Sequence, residues 1–282
     1  MDKKIKEITL YLLLILSFLL VISALLFILF VTFRYSWGTL NWSFISQMPR
    51  NGMTEGGVLP MLVGTLLVTF LSAIFSIPFG VFCAIYLSEY ARDNAYTRLI
   101  KLSIRNLAAV PSIVFGLFGL AIFVKSMQLG TSAISAGLTL GLLTLPTVIT
   151  SAEEALKTVP KAYKEGAFAL GLTQWQVLYS NVIPVAMPGI MTGVILGLSR
   201  ALGETAPIMF TGVAFYLPKL SLDVTQQFMS LPYHLFIMST QHHDINGVKG
   251  IAYATAGLLI LISLVLNLIA SNIRYRYKKG LS

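Results

Sequence analysis

Six long apolar runs divide this chain, and they restrict its fold more than any other feature of the sequence. The runs are Ile8–Phe33, Leu59–Leu87, Leu107–Val124, Ile134–Thr150, Val182–Leu202 and Ile251–Ile273. Most of them approach or exceed the roughly 20 apolar residues that an α-helix needs to cross a bilayer. Within lipid the backbone must satisfy its own hydrogen bonds, so such runs fold as helices. The sequence therefore predicts an all-α integral membrane protein with six spans.

Composition agrees with this class. Of the 282 residues, 56% are hydrophobic and only 11% are charged, whereas soluble domains carry about 25% charged residues. The net charge of +9 does not indicate nucleic acid, because the basic residues lie at the edges of apolar runs, where positive charge sets membrane orientation. We expect a bilayer environment and no nucleic-acid partner.

The distribution of Lys and Arg predicts the orientation. With the N-terminus inside, 14 of the 20 basic residues fall in inner segments and five in outer segments, with Arg200 assigned to a helix. Cytoplasmic loops carry the excess of positive charge, so both termini are predicted to be cytoplasmic, in the plasma (inner) membrane. The first run exceeds the apolar part of a secretory signal, about 7–15 residues, and is interpreted as a retained anchor.

The chain is predicted to form one domain, since it contains no internal repeat, linker or low-complexity tract. Residues 1–58 would form the anchor helix and an outer segment, Tyr35–Val58, and residues 59–273 the core. Residues 152–181 would form a cytoplasmic loop, and Lys219–Gly250 a second outer segment. The short apolar run Ala206–Leu217 would either extend the fifth helix or re-enter the membrane.

Neither a catalytic site nor a metal site is predicted. Cys83 is the single cysteine and lies in an apolar run, so an intramolecular disulfide and a thiolate metal cluster are excluded. The adjacent His242, His243 and Asp244 would point apart, and no further ligand has suitable spacing. We expect no catalytic residue, no metal and no cofactor.

The long cytoplasmic loop has the pattern of two helices joined by a corner. Pro160 suits a first helical turn, and Gly171 suits the left-handed residue that ends a helix. Thr173 and Gln176 then form a capping-box pattern for the second helix. Apolar side chains on this segment need covering by protein or membrane, and spacing alone leaves partner docking and packing onto the bundle open. These side chains are Phe168, Leu170, Leu172 and Trp175.

This loop resembles the EAA loop of ABC-importer permeases, whose pattern is E-A-A-x3-G-x9-I-x-L-P. Glu165, Ala167, Gly171 and Pro184 match that pattern in register, whereas Gly166, Asn181 and Ile183 depart from it. The resemblance implies that the matching residues, together with Gly166, form a coupling helix seated on a cytoplasmic ATPase. The chain has no GxxxxGK[ST] phosphate-binding loop, so ATP hydrolysis is expected in the partner.

A glycine ridge precedes two charged residues on the fifth span. Gly189, Gly193 and Gly197 recur every fourth residue, a pattern that lets membrane helices approach closely. At about 100° per residue, Arg200 and Glu204 fall on the same helix face as the ridge. Ionisable residues within a membrane are costly and commonly functional, so this pair is a candidate for a substrate pathway or a structural ion pair.

The segment Arg200-Ala201-Leu202-Gly203-Glu204-Thr205-Ala206-Pro207 closely resembles the corresponding segment of phosphate ABC-importer permeases of the A type. Its first five residues are also similar to sulfate and molybdate permeases, in which an aromatic residue commonly follows the glutamate. The Thr-Ala-Pro that follows here favours phosphate. By this resemblance, Arg200 and Glu204 are candidates for the phosphate pathway, with Glu204 weakening the site so that the anion is released.

The resemblance implies the remaining expectations. The fold would be a type I, MetI-like ABC-importer permease bundle, and the chain would be the phosphate permease of a phosphate-specific transport system. Its partners would be a homologous permease in a heterodimer, two cytoplasmic ATP-binding subunits and an extracytoplasmic phosphate-binding protein. The alternatives are another oxyanion, either sulfate or molybdate, and an ATP-independent channel or secondary transporter.

Overall fold

The computed structural model describes residues 3–279, with side chains described for residues 7–277. The predicted cytoplasmic lysines at positions 3, 4, 6, 278 and 279 therefore have side chains outside the described residues. The described chain is mainly helical, with one two-stranded antiparallel hairpin, β1 (Pro49–Arg50) and β2 (Glu55–Gly56). The helices are α1 (Lys3–Ser36), α2 (Trp42–Ser46), α3 (Leu59–Ile85), α4 (Ala95–Ala108), α5 (Ser112–Gly119), α6 (Ala133–Lys157), α7 (Lys161–Ala169), α8 (Gln174–Val177), α9 (Ile183–Gly203), α10 (Ala206–Thr211), α11 (Leu231–Thr240) and α12 (Lys249–Lys279).

Five helical segments within residues 3–279 are long and apolar enough to cross a bilayer. They are Glu7–Ser36, Leu59–Tyr90, Ala133–Lys157, Gln174–Gly203 and Lys249–Tyr277. A bent pair, Ala95–Ala108 with Ser112–Ser126, supplies a sixth span when it is counted as one crossing. The architecture confirms the all-α membrane fold predicted from the apolar runs.

The third predicted span begins later than expected and is broken. The apolar pattern placed its start at Leu107, but Leu107 belongs to α4, and α5 starts at Ser112 after a turn of 102°. Pro111 precedes the first residue of α5 in an extended conformation (φ −56°, ψ 138°). Proline disfavours helical geometry in the residue before it, so the two helices cannot join smoothly here.

Helix α6 occupies the centre of the bundle, packed most extensively against α3 and α9. Small residues make the α3 contact close: a side chain at Gly141 would collide with Phe75, and one at Gly80 with Val148. By contrast, α1 contacts mainly α12 and leaves most of its apolar surface exposed. The interior of the bundle is thus built around α6, with α1 at its edge.

Two π-helical turns lie at the ends of core spans beside the loop of residues 152–181. Tyr86–Tyr90 continues α3, and Leu178–Val182 joins α8 to α9. The second turn makes Gln174–Gly203 one apolar helical segment of 30 residues. The second helix of the loop, α8, and the charged end of α9 therefore belong to the same continuous element.

Candidate functional site

Arg200 and Glu204 form an ion pair at the end of α9. Arg200 Nε donates to Glu204 Oε1 at 3.2 Å. The helix ends at Gly203, and Glu204 is the capping residue in an extended conformation (φ −75°, ψ 129°) rather than part of the helix as its spacing predicted. Pro207, which follows closely in the first turn of α10, lacks a backbone N–H and so cannot continue the hydrogen bonding of α9. The carboxylate nevertheless stays within reach of the guanidinium.

The pair leaves most donors of Arg200 free. Its side chain is 41% exposed, whereas that of Glu204 is 16% exposed. Only the Nε–H donates to Glu204, and within residues 3–279 the terminal guanidinium nitrogens donate to no other group. A guanidinium binds an oxyanion best through two parallel N–H donors, which this single contact leaves available.

The glycine ridge of α9 faces α6. A Cβ atom at Gly189 would meet Ala155, one at Gly193 would collide with Ser151, and one at Gly197 would lie 3.3 Å from Val148 Cγ2. The ridge thus brings the backbones of α9 and α6 close together. Arg200 lies within one turn beyond the last of these glycines.

The loop of residues 152–181 has the predicted corner at Gly171. Helix α7 follows Pro160 and is terminated by Gly171, whose φ of +79° is left-handed. The capping box is present: Gln176 N donates to Thr173 Oγ1 at 3.4 Å, and Thr173 N donates to Gln176 Oε1 at 2.8 Å. Two short helices therefore meet at a fixed angle before α9.

The EAA-like residues of the loop divide between its two faces. Ala167 is buried in a cluster with Ala84, Leu156 and Val177, while Glu165 and Gly166 are exposed. Pro184 lies in the first turn of α9. The loop is thus held to the bundle on one side and exposes Glu165 on the other.

An apolar surface covers the exposed face of the loop. Its members are Tyr163, Phe168, Leu170, Trp175 and Tyr179, with Leu170 the most exposed at 82%. Leu172, predicted with this group, instead packs against the buried cluster of the bundle. Several exposed large apolar side chains on one short segment are typical of a protein interface.

Sequence reasoning missed the ion pairs that hold this region together. Lys164 Nζ donates to both carboxylate oxygens of Glu89, at 2.8 and 2.7 Å. Glu153 of α6 binds Lys101 of α4 at 2.7 Å and Lys157 at 2.5 Å. The i,i+4 spacing of Glu153 and Lys157 was a detectable signal. No sequence signal joins Glu89 to Lys164, since the two are 75 residues apart.

A family model for the inner membrane component of binding-protein-dependent transport systems matches residues 76–279, and the chain belongs to this family. Its relatives include "Phosphate transport system permease protein PstA 1" of Mycobacterium tuberculosis (strain CDC 1551 / Oshkosh), 31% identical over 264 residues, covering 92% of this chain and 85% of the relative. "Phosphate transport system permease protein PstC" of Pasteurella multocida (strain Pm70) is 30% identical over 255 residues, covering 80% and 77%.

A solved structure with the same fold is titled "Crystal structure of bacterial alginate ABC transporter in complex with alginate pentasaccharide-bound periplasmic protein". It has a TM-score of 0.64 and 16% identity, and the match covers 96% of this chain and 95% of the other. At this identity the likeness shows the fold of an ABC-transporter permease. The family match shows that the chain is a membrane component of a transport system.

Proposed function

We propose that this chain is a permease subunit of an ATP-driven importer that moves inorganic phosphate into the cytoplasm. The observation that carries the proposal is the RALGETAP segment at the end of α9, where Arg200 keeps its terminal donors free beside a single carboxylate. The names of relatives along most of the chain agree with phosphate as the cargo.

In this proposal Arg200 binds phosphate oxygens, since its planar donor fork matches their geometry. Glu204 already neutralises part of the guanidinium charge and repels the anion. The site would therefore bind phosphate weakly enough to pass it on. No covalent chemistry is required of this chain, and ATP hydrolysis belongs to partner subunits.

The family and the geometry of the loop support the proposed partners. The permease would pair with a homologous permease, and similarity to relatives named PstA and PstC is consistent with such a heterodimer. Of two ATP-binding subunits, one would seat on the coupling loop of this chain at Glu165, Gly166 and Ala167, with Gly171 and Pro184 fixing the corner and exit of the loop. An extracytoplasmic protein would deliver phosphate, and both termini would be cytoplasmic in the cell membrane.

The test is uptake of labelled phosphate by the complete transporter, assembled from this permease and its partners in proteoliposomes. We expect uptake that requires ATP and the binding protein and is blocked by unlabelled phosphate. Uptake of labelled sulfate or molybdate, without uptake of labelled phosphate, would assign the other oxyanion. Uptake without an ATPase would instead indicate a channel or secondary transporter.

A further inference from the structure

Glu89, at the cytoplasmic end of α3, binds both helices of the coupling loop. Its carboxylate accepts two hydrogen bonds from Lys164 of α7, at 2.8 and 2.7 Å. Its backbone oxygen accepts a third from Gln174 Nε2 of α8, at 3.0 Å. A single residue thus holds the loop on both sides of the Gly171 corner.

The contact with Lys164 differs from the other ion pair near this end of α3. Only 11% of the Glu89 side chain and 25% of the Lys164 side chain are exposed, whereas Arg98 and Asp93 are 74% and 77% exposed. Charge-assisted hydrogen bonds shielded from water are stronger than surface pairs, and breaking one leaves an unpaired charge behind. The loop is therefore held more firmly at Glu89 than a surface salt bridge would hold it.

The position of Glu89 next to α3 connects the loop to that helix. The residue lies in the π-helical turn that continues α3, where Ala91 N donates to Tyr86 O at 2.8 Å. The loop is joined covalently to α9 by the second π-helical turn, and α3 and α9 both pack against α6. A displacement of the loop consequently reaches α9 through the chain and α3 through Glu89.

We propose that Glu89, through Lys164 and Gln174, is a positioning residue that transmits movement of the coupling loop into α3. This inference rests on the proposed function, because it takes the loop to be the point at which an ATPase acts. The Lys164–Glu89 pair makes α3 and α9 respond together, so that ATP hydrolysis stays matched to transport.

The experiment measures phosphate transported per ATP hydrolysed by the complete transporter in proteoliposomes. Glu89→Gln and Lys164→Gln each remove the ion pair, and the double variant Glu89→Lys with Lys164→Glu restores it with reversed charges. Hydrogen bonds to charged groups are strong enough that we expect each single variant to lower the ratio about fivefold or more. The charge-reversed pair should recover most of it. Gln174→Ala, which removes only the contact to the backbone oxygen, should lower the ratio less.

Asp93→Asn is the matched control, since it removes an exposed pair at the same end of α3, and its ratio should equal that of the wild type. An unchanged ratio in both single variants would overturn the proposal. The proposal would also be overturned if the single variants lost the ATPase subunits while Gln174→Ala left the ratio unchanged. The contact would then serve only the folding of the loop. If the wild-type complex imports another oxyanion, the phosphate assignment fails, and the same ratio measured with that anion still tests Glu89.

Discussion

Gly193 of α9 lies directly against Ser151 of α6, so closely that a Cβ atom at position 193 would overlap the serine side chain. Gly189 against Ala155 repeats this contact one turn earlier. Small residues allow such close approach of membrane helices, and van der Waals contact between them stabilises the pair. The α6–α9 interface therefore depends on the absence of side chains.

Replacing Gly193 by alanine should destabilise the folded permease. Overpacking of a filled interface costs about 1–3 kcal/mol, and Ser151→Gly in the same chain should recover part of it by making room. Thermal unfolding of the purified protein in detergent measures both effects. Gly203→Ala is the control, since nothing lies within 4 Å of a Cβ at position 203. Equal melting temperatures for Gly193→Ala and Gly203→Ala would contradict this account of the interface.

Arg200→Lys should lower phosphate uptake about tenfold, because an ammonium group keeps the charge but loses the two-pronged donor geometry. Initial rates of labelled phosphate uptake in proteoliposomes provide the measurement. Arg98→Lys, which alters an exposed arginine paired with Asp93, should have no effect. Wild-type uptake by Arg200→Lys would show that the guanidinium does not contact the anion.

Glu204→Gln tests whether the Glu204 carboxylate weakens phosphate binding. Removing its charge should tighten phosphate binding and slow release, so that KM and the maximal rate of uptake both fall. The same uptake assay over a range of phosphate concentrations separates the two quantities. If neither changes, Glu204 serves only to hold Arg200 or the end of α9.

Gly171→Pro should abolish uptake while the protein still inserts in the membrane. Proline cannot adopt the φ of +79° found here, and it lacks the N–H that donates to Phe168 O at 2.9 Å. Gly171→Ala keeps that N–H and should cost only about 1–2 kcal/mol for the left-handed conformation. Membrane fractionation and co-purification of the ATPase distinguish a misfolded chain from an uncoupled one. Full uptake by Gly171→Pro would show that the corner is dispensable.

Acid should destabilise the protein through His234. This residue of α11 is buried, and its Nδ1 lies 3.2 Å from Thr255 Oγ1. Burial, and to a smaller extent electrostatic repulsion from His242, lowers the pKa of His234 from 6.5 to about 4. Between these values the unfolded chain binds a proton that the folded protein does not, so stability is full above pH 6.5 and falls toward pH 4.

The melting temperature should therefore drop less between pH 7.5 and pH 5 in His234→Gln than in the wild type. His243→Gln removes an exposed histidine and should keep the wild-type dependence. An identical drop in His234→Gln would assign the acid sensitivity to other groups.

Hydropathy was sufficient to predict five of the spans, because each of these apolar runs is long enough to cross a bilayer as one helix, but it did not predict the break in the third span at Pro111. The corner at Gly171 was equally predictable, since capping residues act over a few positions. Glu89 and Lys164 were not, because their contact depends on how distant segments pack. The end of α9 at Gly203, which leaves Glu204 outside the helix, was not predicted either, because helical spacing assumes that the helix continues.

The close glycine contacts of α6 with α3 and with α9 limit the positions at which substitutions could change the anion that such a protein transports. Gly141 and Gly193 leave no room for a larger residue against Phe75 or Ser151, so the interior accepts little variation whatever the protein transports. At the end of α9, the Arg200 side chain is 41% exposed, and replacing that side chain need not disturb this packing. A redesign for a different anion would begin at this exposed end and leave the positions facing α6 unaltered.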